Sequence, residues 1–417
     1  MMPLSRTGFA LLVFITTAGA ISTDLYLPSL PAIAVALHAS QAETQATLSI
    51  FLLGFAGSML VCGPVSDRIG RRPVLIGGLL VFAVASLGCA WAPSIHWLWL
   101  GRFIQAIGAA TGPVIGRAIV RDAYGASGSV RMMPYLSASG ALAPLLGPFV
   151  GGALQSLVGW QANFLFLALY GGLGAVLTWR LLPETLSAPP TQAGGIVTVI
   201  KTYALFLRDR HFRMVIQATA FTYGAIFCFL STSSFVFIDV LGVPPHRFGL
   251  VFAVFVLGFV SGAMGGGRLA KARKPEHILL AGALLSTGAG CVLIGIAATT
   301  HGVLPLMVGI YFMNAGCGLA LPIAQGLGVA PYPHAAGAAS SMLNFITNCV
   351  SALTGALLAQ IPTHSALPMS IFMTLCAGMV LHAGLRLRQL ARVTDTFIEP
   401  EALSAEVAMA ETSSNRR

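Results

Sequence analysis

Uncharged apolar runs of about 20 residues, the length that crosses a bilayer as a helix, recur along the chain with short polar breaks between them. They predict twelve membrane helices, near residues 8–30, 46–66, 74–92, 96–118, 133–158, 162–182, 214–238, 247–268, 277–298, 304–326, 337–360 and 367–388. The expected fold is an all-α polytopic membrane protein with two six-helix halves, 1–182 and 214–390. Between them, 183–213 changes to Pro, Thr, Gln and Gly and then to a charged stretch ending Leu207-Arg208-Asp209-Arg210. Val197, Ile200, Ala204 and Leu207 follow helical spacing there, so this linker is expected to lie along the inner membrane surface. Residues 391–417 are expected to form a disordered cytoplasmic tail.

Composition and charge sharpen this picture. The chain is 56% hydrophobic and 9% charged with a mean hydropathy of +0.84, whereas soluble chains carry roughly a quarter charged residues; a water-soluble fold is excluded. The net charge of +10 does not imply a nucleic-acid partner. With the N-terminus inside, every Lys and Arg except Arg102 and Arg247 falls on the cytoplasmic side, which is the positive-inside asymmetry and places both termini there. The seven cysteines are scattered within the spans without a C-x-x-C, as small core residues rather than a disulfide or metal framework. Arg6 and the apolar run after it resemble a signal peptide, but the run continues past Asp24 and further spans follow.

The densest chemistry lies in Gly63 to Gly78, GPVSDRIGRRPVLIGG, between the second and third spans. Asp67, Arg68, Arg71 and Arg72 lie at one water interface, Gly70 permits a sharp turn, and Pro73 suits the first turn of the next helix. A plain positive-inside loop accounts for the arginines but not for Asp67 and the glycines. The stretch resembles the loop signature of the major facilitator superfamily, G-x-x-x-D-R-x-G-R-R, at every fixed position. Arg117, Arg121 and Asp122 close the fourth span on the same side, either as interface anchors or as a network in which Asp122 pairs with Arg71 or Arg72. Together these seven residues form a candidate cytoplasmic gate. The eleventh span starts near His334 to Ala338 without an acid in its first turn, so Asp67 is the expected partner for the partial positive charge of that helix end.

Within the membrane, Asp24 sits beside Tyr26 in Thr23-Asp24-Leu25-Tyr26-Leu27-Pro28-Ser29-Leu30-Pro31. An intramembrane carboxylate faces a cavity or a partner; the alternative is an acid at the water interface near the proline break. Arg102 and Gln105 share a face of the fourth span and resemble the superfamily's R-x-x-Q-G element, with Gly108 standing in for its glycine. Arg102 is a structural anchor or part of the transport path, and it is expected to face the central cavity. The fifth span carries Gly147, Pro148, Gly151 and Gly152, which resemble the antiporter motif G-P-x-x-G-G; close helix packing uses the same residues.

The second half repeats the first. One offset relates Leu53-Gly54-Phe55 to Leu257-Gly258-Phe259 and Gly63 to Gly267, but it takes Asp67 to Lys271. A similar offset relates Arg102 to Tyr311 and Gln105 to Asn314. Intramembrane charge is therefore concentrated in the first half. The second offers aromatic and neutral polar residues, with Tyr223, Phe227, Ser231, Tyr311, Asn314 and Asn344 as candidate cavity lining. Gly258 and Gly262 form a close-packing pair, with the glycine face of the fifth span as the expected partner.

With the loop signature, the Asp24 stretch, Arg117-Ala118-Ile119-Val120-Arg121-Asp122 and Gly318 to Ser340 in view, the chain resembles the Bcr/CflA-type branch of drug-resistance transporters up to about Arg392. That resemblance implies export of drugs such as chloramphenicol and bicyclomycin in exchange for protons, from a bacterial inner membrane. It implies coupling or substrate roles for Asp24 and Arg102, with Gln105 and Tyr26 beside them, and a gating role for Asp67. The expected partners are a small-molecule drug or metabolite, protons and the lipid bilayer, for a monomer that needs no cofactor beyond a proton gradient. Importers and exporters of small metabolites use the same fold and stay open as an alternative, as does a non-transporting receptor. Enzyme signatures such as H-E-x-x-H or a Gly-rich nucleotide loop do not occur.

Overall fold

The computed structural model describes residues 5–186, 206–299, 302–332 and 336–414, all without a strand. Helix α1 (Arg6–Ala36) is broken. Its segments Arg6–Thr16, Ala18–Asp24 and Leu30–Ala36 are joined through Thr17 and a 3-10 turn at Leu27–Ser29. Pro28 and Pro31 lack the N–H that would continue the ladder, so the break falls just after Asp24. Helix α2 (Gln41–Ile69) opens with a capping box between Ser40 and Glu43. It ends at Gly70, whose φ of 111° favours glycine, and α3 (Arg71–Ala90) starts at the next residue. The helix Ile95–Leu157 turns at Gly125, with φ of 66°; we number its two parts α4 (Ile95–Gly125) and α5 (126–157). Helix α6 (Gln161–Leu181) completes the first half.

The second half contains α7 (Arg210–Val240), capped by Asp209 and ending in a π turn at Phe235–Val240, and α8 (Pro245–Leu269). Then follow α9 (Pro275–Thr299), α10 (Val303–Val329), α11 (Ala336–Ala359) and α12 (Leu367–Ser414). Eleven segments among the described residues are long and apolar enough to cross a membrane, and 126–157 is not one of them. The chain is thus a multi-pass helical membrane protein. Helix α12 continues to Ser414 through the segment expected as a disordered tail; its run of Ala, Glu, Leu and Met has high helix propensity. Val197, Ile200 and Ala204 of the expected surface helix lie outside the described residues, and Leu207 is exposed.

The loop Asp67–Arg72 and the ends of α4 and α6 meet at one end of the bundle, the basic end. Contacts joining the two halves concentrate at the other end. Gln41 donates to Thr363, and the Thr363 N–H donates back at 3.2 Å. Glycines make the remaining approaches. A Cβ at Gly152 in α5 would collide with the Pro245 carbonyl before α8, one at Gly249 in α8 with Phe149, and one at Gly355 in α11 with Phe227.

Gly147 and Gly151 face α1, where an added Cβ would meet Asp24 and the Leu25 carbonyl respectively. The glycine face of α5 therefore seats the break of α1. Gly258 and Gly262 do not pack on α5 as expected; they lie against the Tyr311 and Ala315 carbonyls of α10. Their own half supplies the closest backbone, because α8 and α10 cross where both present small residues. Gly57, in contrast, has open space around the position of a Cβ.

Overpacking a close contact costs about 1–3 kcal/mol. Gly151→Val and Gly262→Val are expected to lower the melting temperature of the purified protein by roughly 5 °C or more, while Gly57→Ala leaves it within about 1 °C. Equal melting temperatures for all three would contradict the close approaches described.

Candidate functional site

A cavity of about 380 Å³ lies between the halves. Ala20, Thr23 and Asp24 of α1 and Pro144 of α5 form one wall. The other is built by Tyr223, Ile226 and Leu230 of α7, Phe252, Phe255, Val256, Phe259 and Val260 of α8, and Asn314 and Leu321 of α10. Asp24 is 3% exposed, and its Oδ1 accepts a hydrogen bond from the Thr23 hydroxyl at 3.2 Å. Asn314 donates from Nδ2 to the Phe255 carbonyl at 2.6 Å.

Arg102 does not line this cavity. Its guanidinium lies inside the first half, 4.3 Å from the ring centres of both Tyr26 and Phe51. Nη1 donates to the Ser22 carbonyl at 3.1 Å and to Oε1 of Gln105, while Nε and Nη2 have no partner. Gln105 in turn donates to Ser86 at 2.6 Å, and the Tyr26 hydroxyl lies 3.0 Å from that of Thr47. Arg102 and Gln105 thus share a face as expected from their spacing. The rings draw the guanidinium away from the cavity, because two aromatic faces replace part of the solvation that a buried cation loses. No ion pair joins Arg102 to Asp24; the link is the Ser22 carbonyl, two residues before the carboxylate.

Two of the six candidate lining residues, Tyr223 and Asn314, reach the cavity. Phe227 packs on Gly355, and Ser231 bonds the Cys228 carbonyl of its own helix. Tyr311 donates to Ser261, and Asn344 bonds the Ser340 carbonyl one turn earlier. The aromatic wall of α8 was missed. Its signal was present, since Phe252, Phe255 and Phe259 recur at i, i+3 and i+7 and so share one helix face.

At the basic end Arg71 joins three groups. It pairs with Asp67 at 2.6 Å and with Asp122 at 3.0 Å, and donates to Ser66 at 2.6 Å. Arg72 donates to the Trp179 carbonyl. Arg117 turns back on the Pro113 carbonyl of its own helix at 2.8 Å, and Arg68 and Arg121 are exposed. His334 and Ala335, where Asp67 was expected to dock, lie outside the described residues.

Sequence reasoning also missed Glu184, just beyond α6. Its carboxylate accepts the N–H groups of Arg71 at 3.0 Å and Arg72 at 3.1 Å, capping α3, and those of Thr185 and Leu186. A Cβ at Gly70 would fall 2.7 Å from Glu184 Oε2. The glycine of the loop therefore serves both the turn and the seat of this carboxylate. Partial burial works against the charge, but the backbone N–H groups outweigh it and hold Glu184 below the usual carboxylate range.

Residues 12–356 match the family described as Major Facilitator Superfamily. The chain belongs to that superfamily. It is 31% identical to an uncharacterized MFS-type transporter, YdgK, of Bacillus subtilis, over 90% of this chain and 94% of that one. It is 27% identical to a bicyclomycin resistance protein homolog of Haemophilus influenzae, covering 87% and 93%. Multidrug resistance protein MdtL of Escherichia coli is 28% identical over 79% and 82%. Among solved structures, a peptide transporter POT in complex with sulfate has a TM-score of 0.74 at 16% identity, covering 94% of this chain and 96% of the other. A bacterial homolog of the human lysosomal transporter Spinster gives 0.72 at 16% identity, covering 91% and 97%. These relatives are consistent with the Bcr/CflA-type resemblance. The protein is a membrane transporter of the superfamily and not an enzyme.

The Glu184 cap contributes fully above the ordinary carboxylate pKa of about 4.3, and is lost as pH falls through the lower folded value. Glu184→Ala removes it at every pH, at about 1–2 kcal/mol for a lost cap. Hydrogen exchange at the Arg71 and Arg72 amides is expected to speed up about tenfold or more in the variant at neutral pH. An unchanged rate would show that the cap does not hold the loop.

Proposed function

We propose that the protein is a proton-coupled multidrug efflux antiporter of a bacterial inner membrane, with twelve membrane helices, both termini cytoplasmic, and two halves that alternate access to the central cavity. The observation that carries this reading is the single buried carboxylate, Asp24, set in an otherwise apolar and aromatic cavity between the halves. A carboxylate is the group that takes up one proton and gives it back; in this cavity it has no cation paired to it. Its place at the α1 break, held between Gly147 of α5 and the cavity, links its protonation to the helix that moves. Names of the relatives, a bicyclomycin resistance homolog and a multidrug resistance protein, support a drug as cargo.

With the basic end cytoplasmic, the contacts at the opposite end close the outer face, which is the arrangement of an inward-facing carrier. Protonation of Asp24 removes the charge from the cavity, and drug exchange returns it. The carrier needs no bound cofactor and functions as a monomer. Arg102 contributes as a fixed positive charge behind α1; movement of the Ser22–Asp24 segment toward or away from it would couple proton affinity to the conformational state. In the outward-facing state Asp67 latches the basic end by docking at the start of α11. Such a contact contributes roughly 0.3–1 kcal/mol when exposed.

In proteoliposomes with an imposed pH gradient and a drug panel, Asp24→Asn is expected to be produced normally and to lose more than nine-tenths of proton-driven export. Export with unchanged pH dependence would remove Asp24 from the coupling mechanism. Asp67→Asn is expected to shift distances between spin labels on the cytoplasmic loops toward the longer, inward-facing population and to slow turnover severalfold. An identical distance distribution in the variant would eliminate the latch.

A further inference from the structure

The cavity is chemically one-sided in a way that selects its ligand, an inference that rests on the export reading and narrows it. Asn314 is 1% exposed, and its Nδ2 is spent on the Phe255 carbonyl at 2.6 Å. A carbonyl can only accept, so the amide is fixed in one orientation. Its Oδ1 is left as an acceptor on the second-half side of the cavity. Opposite, Asp24 is an acceptor on the first-half side. The Thr23 hydroxyl is turned toward the Ala20 carbonyl and Asp24 itself. Tyr223 carries the only other polar side-chain group on the cavity wall, and no Lys or Arg lines it. The remaining wall is largely aromatic, backed by Phe229 stacked on Phe255 with ring centres 4.1 Å apart.

Two fixed acceptors on opposite halves leave unpaired lone pairs unless the ligand brings donors, and desolvating them without donors is unfavourable. Aromatic faces favour a flat ring and attract a cation. We propose that the cargo class is protonated aromatic primary amines, and that Asn314 is the residue that selects N–H donors. One ammonium N–H meets Asp24, a second meets Asn314 Oδ1, and the ring lies against the α8 aromatics. Because the two acceptors come from different halves, such a ligand bridges them.

The test uses purified full-length protein in lipid nanodiscs and three probes of one shape: 2-naphthylmethylammonium, its N,N,N-trimethyl analogue, and 2-naphthylmethanol. The primary ammonium is expected to bind about tenfold tighter than either other probe, a factor that corresponds to roughly 1.4 kcal/mol. Asn314→Leu should bring the ammonium within about threefold of the trimethyl analogue, whose own affinity stays unchanged. Asn314→Asp keeps an acceptor, retains the preference and tightens both cations; it guards against a merely misfolded Leu variant, which size-exclusion chromatography also detects. Equal binding of the two cations by the wild-type protein, a preference that survives in Asn314→Leu, or no binding of the ammonium overturns the proposal. Proton-driven export of a neutral drug, measured in parallel, separates the two levels. Export without ammonium binding sinks the cargo class alone. Ammonium binding with the expected pattern but no export of any drug sinks the export reading and leaves the ligand class standing.

Discussion

The arrangement depends on a cation that has no anion. Arg102 is completely buried, stacked between Tyr26 and Phe51, and makes its hydrogen bonds to a backbone carbonyl and a neutral amide. A buried charge without a carboxylate is unfavourable unless polarizable and dipolar groups surround it closely. That requirement pins three helices: Tyr26 brings the turn that breaks α1, Phe51 brings α2, and Arg102 itself brings α4. Asp24 owes its position to the same requirement, because the Ser22 carbonyl that receives Nη1 fixes the chain just before it. A planar guanidinium fits this slot by shape as well as by charge, and an ammonium would stack on neither ring in the same way.

Much of the fold was legible because a bilayer leaves few options. Backbone groups must be satisfied within each segment, so apolar run lengths, prolines and the loop signature located the helices, the α1 break and the turn at Gly70. The spacing of Arg102 and Gln105 correctly placed them on one face. What the spacing did not carry was direction. Whether a buried arginine turns to a cavity or into its own half is decided by which aromatic rings reach it, and Tyr26 and Phe51 lie far from it in sequence. Gly258 and Gly262 illustrate the same limit, since a small-residue pair announces a close neighbour without naming it. Glu184 was invisible for another reason: a lone acid after a helix carries no periodicity, and its value lies in two amides more than a hundred residues earlier.

The two halves divide the work unequally. In the first half, charge is fixed by stacked rings, glycine seats and paired carboxylates, so its polar groups keep defined positions. In the second, the cavity wall is mostly aromatic and aliphatic, with Asn314 as its one oriented amide. A rigid polar half facing a soft apolar half tolerates variation in the body of a ligand while remaining strict about its polar end.

Glu184 also has a mechanical consequence. It is the last strongly anchored residue before the chain leaves the first half, and its anchor is the start of α3, immediately beside the Asp67 and Arg71 pair. Tension in the connecting segment, generated whenever the second half swings away, is therefore delivered to that loop before it reaches the body of α6. The connection between the halves then acts as a tether whose fixed point is the gate itself, so that shortening or stiffening it would act on the gate without altering the cavity.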